Sequence, residues 1–216
     1  MQSLPFDVRL QLDGWALFWA ELARTVENNG GLATLRQEVC RRARERLELK
    51  SLSTEATVSA LRRLFRAAGT DPTRYRPSSE ALLRRVLKGD ELPAINPLVD
   101  INNCLSVELA VPCCVMAQGT FGPPLVFRAG LRGENYQSLR GPFRLEGKPL
   151  LCDPTGPLDT PITGNERVKV TPETQRAWLV AYLPANVVNA EAAGDALERL
   201  VNAAPVVCIL QTAGNE

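Results

Sequence analysis

Two short stretches hold the side chains best suited to bind or transform a ligand. The first contains Asp100, Asn102 and Asn103, a carboxylate and two amides within four residues. Amides carry both hydrogen-bond donors and acceptors, so this set is suited to binding an amino acid or a ribose hydroxyl. The alternative is a local role, in which the side chains satisfy backbone groups as Asx turns between a helix and a strand. Both interpretations stay open.

The second stretch is the adjacent pair Cys113 and Cys114. Cysteine reacts as a thiolate, and a thiol with a free pKa of about 8.5 needs a base or a cation beside it. The chain contains no histidine to act as that base. We therefore expect packed thiols. Adjacent cysteines also lack the spacer of a zinc knuckle, so we expect no metal.

The absence of histidine excludes several reaction classes. Ser-His and Cys-His nucleophile pairs, His-ligated zinc and a histidine general base are all ruled out. The sequence also contains neither a GxxxxGK[ST] loop nor a GxGxxG fingerprint, the usual phosphate cradles of nucleotide cofactors. We expect no cofactor, and any chemistry must use carboxylates, lysines, hydroxyls, thiols, a substrate group or bound water.

Charge divides the chain into two parts. Residues 1–89 contain 16 Lys/Arg and 10 Asp/Glu, a net charge of +6, whereas residues 90–216 contain 9 and 14, a net charge of −5. The length of 216 residues is typical of one large domain. We predict a single domain over 1–216, with a basic, largely helical part over 1–89 and a strand-rich core over 90–216.

Most of the arginines between positions 36 and 46 alternate with glutamates at helical spacing, which indicates ion pairing on a solvated surface. Arg84, Arg85 and Lys88 have fewer acidic neighbours in sequence. We therefore predict that these three side chains are the ones that contact a nucleic-acid backbone.

The spacing of apolar residues predicts the elements that position these side chains. Before Gly89 the period is helical, and after it short apolar runs alternate with Pro and Gly. The fold class is therefore α+β, with helices from residues 32–88 packed on a mixed sheet built mainly from residues 95–210. The predicted helices cover 32–47, 54–68, 78–88 and 190–203, and the predicted strands cover 6–12, 125–129, 149–152, 177–183 and 206–210, with 15–22 open to strand or helix and a turn at 28–31.

Hydrophobic residues make up 45% of the chain, which excludes wholesale disorder. No charge-free apolar run approaches the roughly 20 residues of a membrane-spanning helix, and no secretory stretch opens the sequence. We expect a cytoplasmic protein without a membrane partner and with reduced cysteines.

A longer segment resembles a known family. The run from Arg74 to Gly89 leads into Val99-Asp100-Ile101-Asn102-Asn103, and weaker matches follow at 108–116, 127–134 and 150–153. Over residues 70–185 the sequence resembles the paired B-three/B-four domain of the phenylalanyl-tRNA synthetase beta chain, as a free-standing relative. The resemblance implies that fold, and tRNA as a partner.

In the synthetase, this domain hydrolyses tyrosine wrongly attached to tRNA in a pocket lined by a Thr-Asn pair, a His and a Glu. The resemblance places the pair at Asn102 and Asn103, the His at Cys114 and the Glu at Val180. It implies a pocket in the same place, with Asp100 beside it and backbone groups near Gly164 able to hold water. Its more apolar interior would suit a smaller or aliphatic aminoacyl group.

Two functions remain open. The resemblance implies a tRNA-binding protein of translation, acting as a trans-editing aminoacyl-tRNA deacylase of altered specificity, an ester hydrolase rather than a ligase. The alternative is a small-molecule or amino-acid binding protein that keeps the pocket and has no catalytic activity.

Overall fold

The computed structural model describes residues 6–25 and 31–215. Within them no helix is both long enough and apolar enough to cross a membrane. The helices are α1 (Leu32–Arg46), α2 (Ala56–Ala67), α3 (Ser78–Val86), α4 (Pro97–Leu109) and α5 (Ala190–Ala203). The strands are β1 (Val8–Leu10), β2 (Trp15–Arg24), β3 (Cys113–Ala117), β4 (Leu125–Ala129), β5 (Asn135–Ser138), β6 (Gly141–Arg144), β7 (Pro149–Asp153), β8 (Gly156–Asp159), β9 (Arg176–Pro184) and β10 (Val207–Asn215).

The strands form two four-stranded sheets and a hairpin. The central sheet has the order β10-β2-β9-β3 and is antiparallel throughout. The second sheet has the order β1-β4-β7-β8 and is mixed, because β1 pairs with β4 in parallel. β5 and β6 form the hairpin. Since β2 lies between β10 and β9, the basic and acidic parts of the chain share the central sheet.

The central sheet separates two hydrophobic clusters. Alternate side chains of β2, among them Phe18 and Leu22, face helices α1, α4 and α5, whereas Trp15 and Trp19 face α2 and the second sheet. Period-2 alternation along a strand places successive side chains on opposite faces, so one apolar strand serves both clusters. The result is a three-layer arrangement of helices, central sheet and second sheet.

The α+β class is confirmed. α1 and α5 begin where the apolar spacing predicts, and the segment left open at 15–22 is a strand within β2. The predicted strand at 6–12 is shorter, because only Val8–Leu10 pair with β4. Most of the predicted turn at 28–31 lies outside the described residues. The strands divide between two sheets instead of forming one, because β2 and β9 are apolar on both faces and need a layer on each side.

Helix α4 was not among the helices predicted from the sequence. Of the two interpretations left open for Asn102 and Asn103, the one with Asx turns between a helix and a strand does not fit the structure, because both residues lie inside α4. The side chain of Asn96 caps the helix by accepting a hydrogen bond from the Val99 N–H at 3.0 Å, and Pro97 occupies the first turn. Ala110 ends the helix in a left-handed conformation, with φ of 58°.

Candidate functional site

A cleft of about 450 Å³ lies along the free edge of the central sheet. Strand β3 forms one wall, α3 and α4 flank it, and loops from the second sheet and the β5–β6 hairpin complete it. The polar residues that line the cleft are Ser78, Arg85, Asn102, Asn103, Arg140, Thr163, Asn165 and Lys169.

The backbone of β3 presents hydrogen-bonding groups to this cleft. The carbonyl of Pro112 accepts a hydrogen bond from the Tyr182 N–H, and the N–H of Gln118 donates to the carbonyl of Arg176. The backbone groups of the even-numbered residues between them, Cys114 and Met116, therefore point toward β9. The alternation of an antiparallel pair then directs the backbone N–H and C=O of Cys113 and Val115 away from β9. Within the described residues β3 pairs with no other strand, and side chains of Asn102 and Cys114 donate to the carbonyls of Cys113 and Val115, so the two N–H groups are the ones available to a ligand.

Asn102 and Asn103 lie on the side of α4 that faces the cleft. The Asn102 amide Nδ2 donates to the carbonyl of Cys113 at 3.5 Å, while its Oδ1 is buried with no hydrogen-bond partner among the described residues. An unsatisfied buried acceptor costs about 1–3 kcal/mol. A ligand N–H or O–H group would remove that cost.

Asp100 points elsewhere. Its Oδ2 accepts a hydrogen bond from Arg36 at 2.6 Å, and its Oδ1 accepts one from the backbone N–H of Ile95 at 2.9 Å. Burial raises the pKa of this carboxyl, and the two donors partly oppose the shift. The structure therefore places Asp100 at the junction of α1 and α4, outside the cleft lining.

Cys113 and Cys114 both line the cleft. Burial raises the pKa of each thiol above its ordinary value, and the charge of Asp159 raises that of Cys114 further. Both are therefore neutral thiols near pH 7, which are poor nucleophiles.

Val180 and Gly164 differ in their access to the cleft. Val180 pairs with Cys114 across β9 and β3 and is fully buried in the cluster between the sheets, away from the cleft lining. Gly164 lines the cleft, and its carbonyl accepts a hydrogen bond from the Leu139 N–H at 3.1 Å. The structure thus brings Asn102, Asn103, Cys114 and Gly164 together.

The most perturbed carboxyl near the cleft is Asp159, at the end of β8, which sequence reasoning missed. It is fully buried, and its Oδ2 accepts a hydrogen bond from the Tyr182 hydroxyl at 2.5 Å. Its Oδ1 has no partner within the described part of the chain. Burial raises the pKa of Asp159 to about 7. No local signal marks the residue, since its partners come from distant strands.

The three predicted nucleic-acid contacts have different surroundings. Arg84 donates to the buried carboxylate of Glu80 at 3.1 Å, which gives it a structural role. Arg85 is exposed, lies 3.4 Å from Asp90 and lines the cleft, whereas Lys88 is exposed outside it. Sequence reasoning missed two further exposed cations at the cleft, Arg140 and Lys169.

Comparison with known proteins identifies the family. Residues 60–202 match the family model of the B3/4 domain. The chain belongs to the B3/4 domain family. Every residue that lines the cleft lies inside the matched segment, whereas β2 and β10 lie outside it and complete the central sheet of this B3/4 protein.

One solved structure similar to this B3/4 chain is an N-terminal fragment of the phenylalanyl-tRNA synthetase beta-subunit from Pyrococcus horikoshii. It is 13% identical, with a TM-score of 0.48, and the match covers 95% of this chain. The chain spans about half of that fragment, 51% of its length. A comparison with curated proteins gave no match.

Proposed function

We propose that this B3/4 protein binds the aminoacylated 3′ end of a tRNA in the cleft and hydrolyses the aminoacyl ester, as a trans-editing deacylase in cytoplasmic translation. The observation that carries the proposal is the buried, unpartnered amide oxygen of Asn102, a residue that lines a cleft in the family's matched segment. Buried unsatisfied acceptors are rare in folded proteins, so one beside a cleft supports ligand binding there.

The surroundings of the cleft suit the end of a nucleic acid. Arg140 supplies positive charge for phosphates, as do Arg85 and Lys169 when a phosphate replaces their exposed partners Asp90 and Glu166, and such contacts position a strand without reading its sequence. Ile95 and Leu139 line the same cleft with exposed fractions of 61% and 54%, unusually high for large apolar side chains. They offer apolar surface for an unstacked terminal base.

Hydrolysis would rely on positioning rather than on a general base. The ester is already activated, and the terminal ribose hydroxyl of the substrate can orient a water molecule. The outward N–H of Val115 and the amide of Asn102 are donors fixed on regular elements, suited to the negative charge that develops on the ester oxygen. The protonated thiols of Cys113 and Cys114 take no covalent part in this scheme.

A second candidate is an amino-acid binding protein without catalysis. Its support comes from the paired arginines of the basic helices, because Arg41 bonds Glu38 at 2.7 Å and Arg62 bonds Glu80 at 2.8 Å. Cations already engaged with carboxylates contribute less to RNA binding.

The two candidates are separated by measuring tRNA binding at two salt concentrations and deacylation of a panel of mischarged tRNAs. We expect binding that weakens steeply with salt. The double variant Arg140→Ala with Lys169→Ala should bind more weakly with a shallower salt dependence. Arg41→Ala, an exposed arginine paired on α1, is the matched control and should bind like wild type.

No tRNA binding at low salt would refute the leading proposal. Binding without hydrolysis of any charged tRNA would leave the protein a carrier of tRNA. Loss of hydrolysis in Asn102→Ala, with tRNA affinity retained, would support the assigned role of that amide.

A further inference from the structure

Strand β10 forms the second edge of the central sheet, opposite the edge that borders the cleft. It runs from Val207 to Asn215, and within the described residues β2 is its only strand partner. At the other edge of the sheet, the elements of the cleft flank β3, and side chains bond two of its outward carbonyls. The surface of β10 is open by comparison, because Cys208 and Gly214 are exposed and Leu210 is 44% exposed.

The backbone of β10 directs alternate hydrogen-bonding groups away from β2. The Thr25 N–H donates to Val206 O at 3.1 Å, so the odd-numbered residues of β2 bond to β10. The residues of β10 opposite even-numbered positions of β2 therefore point their N–H and C=O groups outward. These residues are Val207, Ile209, Thr212 and Gly214. In the part of the chain that the structure describes, no group outside the sheet bonds to them.

The sequence of β10 lacks the usual protections of an exposed edge strand. Native proteins keep such edges from pairing with charged side chains, proline or very short strands. β10 is nine residues long and contains neither a charged residue nor a proline. Its one irregularity is a bulge between Ile209 and Gln211. A long, uncharged edge with outward backbone groups is suited to pairing with another strand.

We propose that β10 pairs antiparallel with β10 of a second copy of this chain, which joins the two central sheets into one sheet of eight strands. In a two-fold dimer the same surface meets itself, and an uncharged strand brings no like charges together there. The pairing also continues the antiparallel order of the central sheet.

The proposed dimer is a closed assembly. After pairing, the outer edge of each copy is β3, which the elements of the cleft flank, so no second open edge is left for a third copy. The two clefts lie at opposite ends of the joined sheet, and both stay open. The dimer therefore does not depend on what the cleft binds or hydrolyses.

The test is sedimentation velocity of the full chain from micromolar to hundreds of micromolar concentration. A reducing buffer keeps the exposed Cys208 from forming disulfides. We expect a species of twice the 23.6 kDa chain mass that becomes more populated as concentration rises. Hydrogen exchange over the same concentrations locates the interface, because the outward N–H groups of Val207, Thr212 and Gly214 should exchange at least about tenfold more slowly in the dimer.

Two variants act on the proposed interface. Thr212→Pro removes an outward N–H and keeps the hydrogen bonds to β2, so we expect a folded monomer. Leu210→Lys adds a like charge to each strand and should weaken dimerisation several-fold. It decides the question if Thr212→Pro does not fold. Leu131→Lys is the matched control, since Leu131 is 60% exposed in the turn between β4 and β5, and it should dimerise like wild type.

The possible outcomes are distinct. A dimer with slow exchange along β10 that is lost in Thr212→Pro or weakened in Leu210→Lys supports the proposal. A monomer at every concentration overturns it, and so does a dimer that the folded variants leave unchanged. Assemblies larger than a dimer overturn it as well, because the pairing uses the one open edge of the sheet.

Discussion

The buried carboxyl of Asp159 should make the stability of the protein depend on pH in a range where few other groups titrate. The chain has no histidine, so no side chain with an ordinary pKa near 6.5 contributes between pH 5 and 8. The perturbation is a change of pH across this range, applied to wild type and to Asp159→Asn, which cannot ionise.

The direction of the pH dependence follows from the number of protons bound in the native and in the unfolded state. Burial raises the pKa of Asp159 from 3.8 to about 7, so between these values the native state binds a proton that the unfolded chain has released. The contribution of Asp159 to stability is therefore largest at low pH, falls as pH rises through this window, and levels off above it. One pKa unit corresponds to about 1.4 kcal/mol, so wild type should lose about 2–3 kcal/mol between pH 5 and pH 8.

The assay is urea unfolding at pH 5 and pH 8, followed by tryptophan fluorescence, because Trp15, Trp19 and Trp178 are buried in the folded protein. The Asp159→Asn variant should lack the loss seen in wild type. Burial also raises the pKa of Asp100, but that residue is present in both proteins, so the difference between them isolates Asp159. Equal pH dependence in the two proteins would refute the reasoning.

Three further predictions concern other buried groups. Glu80→Ala leaves the partly buried Arg62 without its carboxylate and should destabilise the fold by about 3–5 kcal/mol in urea unfolding, so an unchanged midpoint would contradict the packing described. Asp100→Ala removes the partner of Arg36 and should lower stability by about 3 kcal/mol without changing the affinity for tRNA, whereas a changed affinity would show that Asp100 belongs to the site. Cys114→Ser should deacylate within a few-fold of the wild-type rate, and complete loss would indicate a covalent mechanism.

The sequence predicts elements well where one face is apolar and the other polar. α5 has that character, and its predicted bounds of 190–203 agree with the structure. α4 does not, because nine of its 13 residues are buried and polar side chains such as Asp100, Asn102 and Ser106 are among them. A helix surrounded by protein on most sides has no amphipathic pattern, so periodicity cannot detect it. The local signal for this helix was the pair Asn96-Pro97, which is typical of a helix start.

The site was predictable only where residues close in sequence form it. Asn102, Asn103 and Cys114 lie on consecutive elements, α4 and β3, and the resemblance to the synthetase module placed them together. Asp159 and Tyr182 are 23 positions apart, and their contact arises because the second sheet packs against the central one. Cys114 and Val180 together suggested an apolar interior, but Val180 lies in the cluster between the sheets and outside the cleft lining.

A buried polar atom without a partner lies on a residue of the cleft. In residues 6–25 and 31–215, five buried side-chain N or O atoms lack a partner, and one of them, Asn102 Oδ1, belongs to a residue that lines the cleft. Each lowers the stability of the unliganded protein, and apolar groups of similar shape would avoid that cost. Local departures from good packing concentrate where a protein binds something, because the ligand supplies the missing partner. For Asn102 the missing partner is a hydrogen-bond donor close to the backbone of β3.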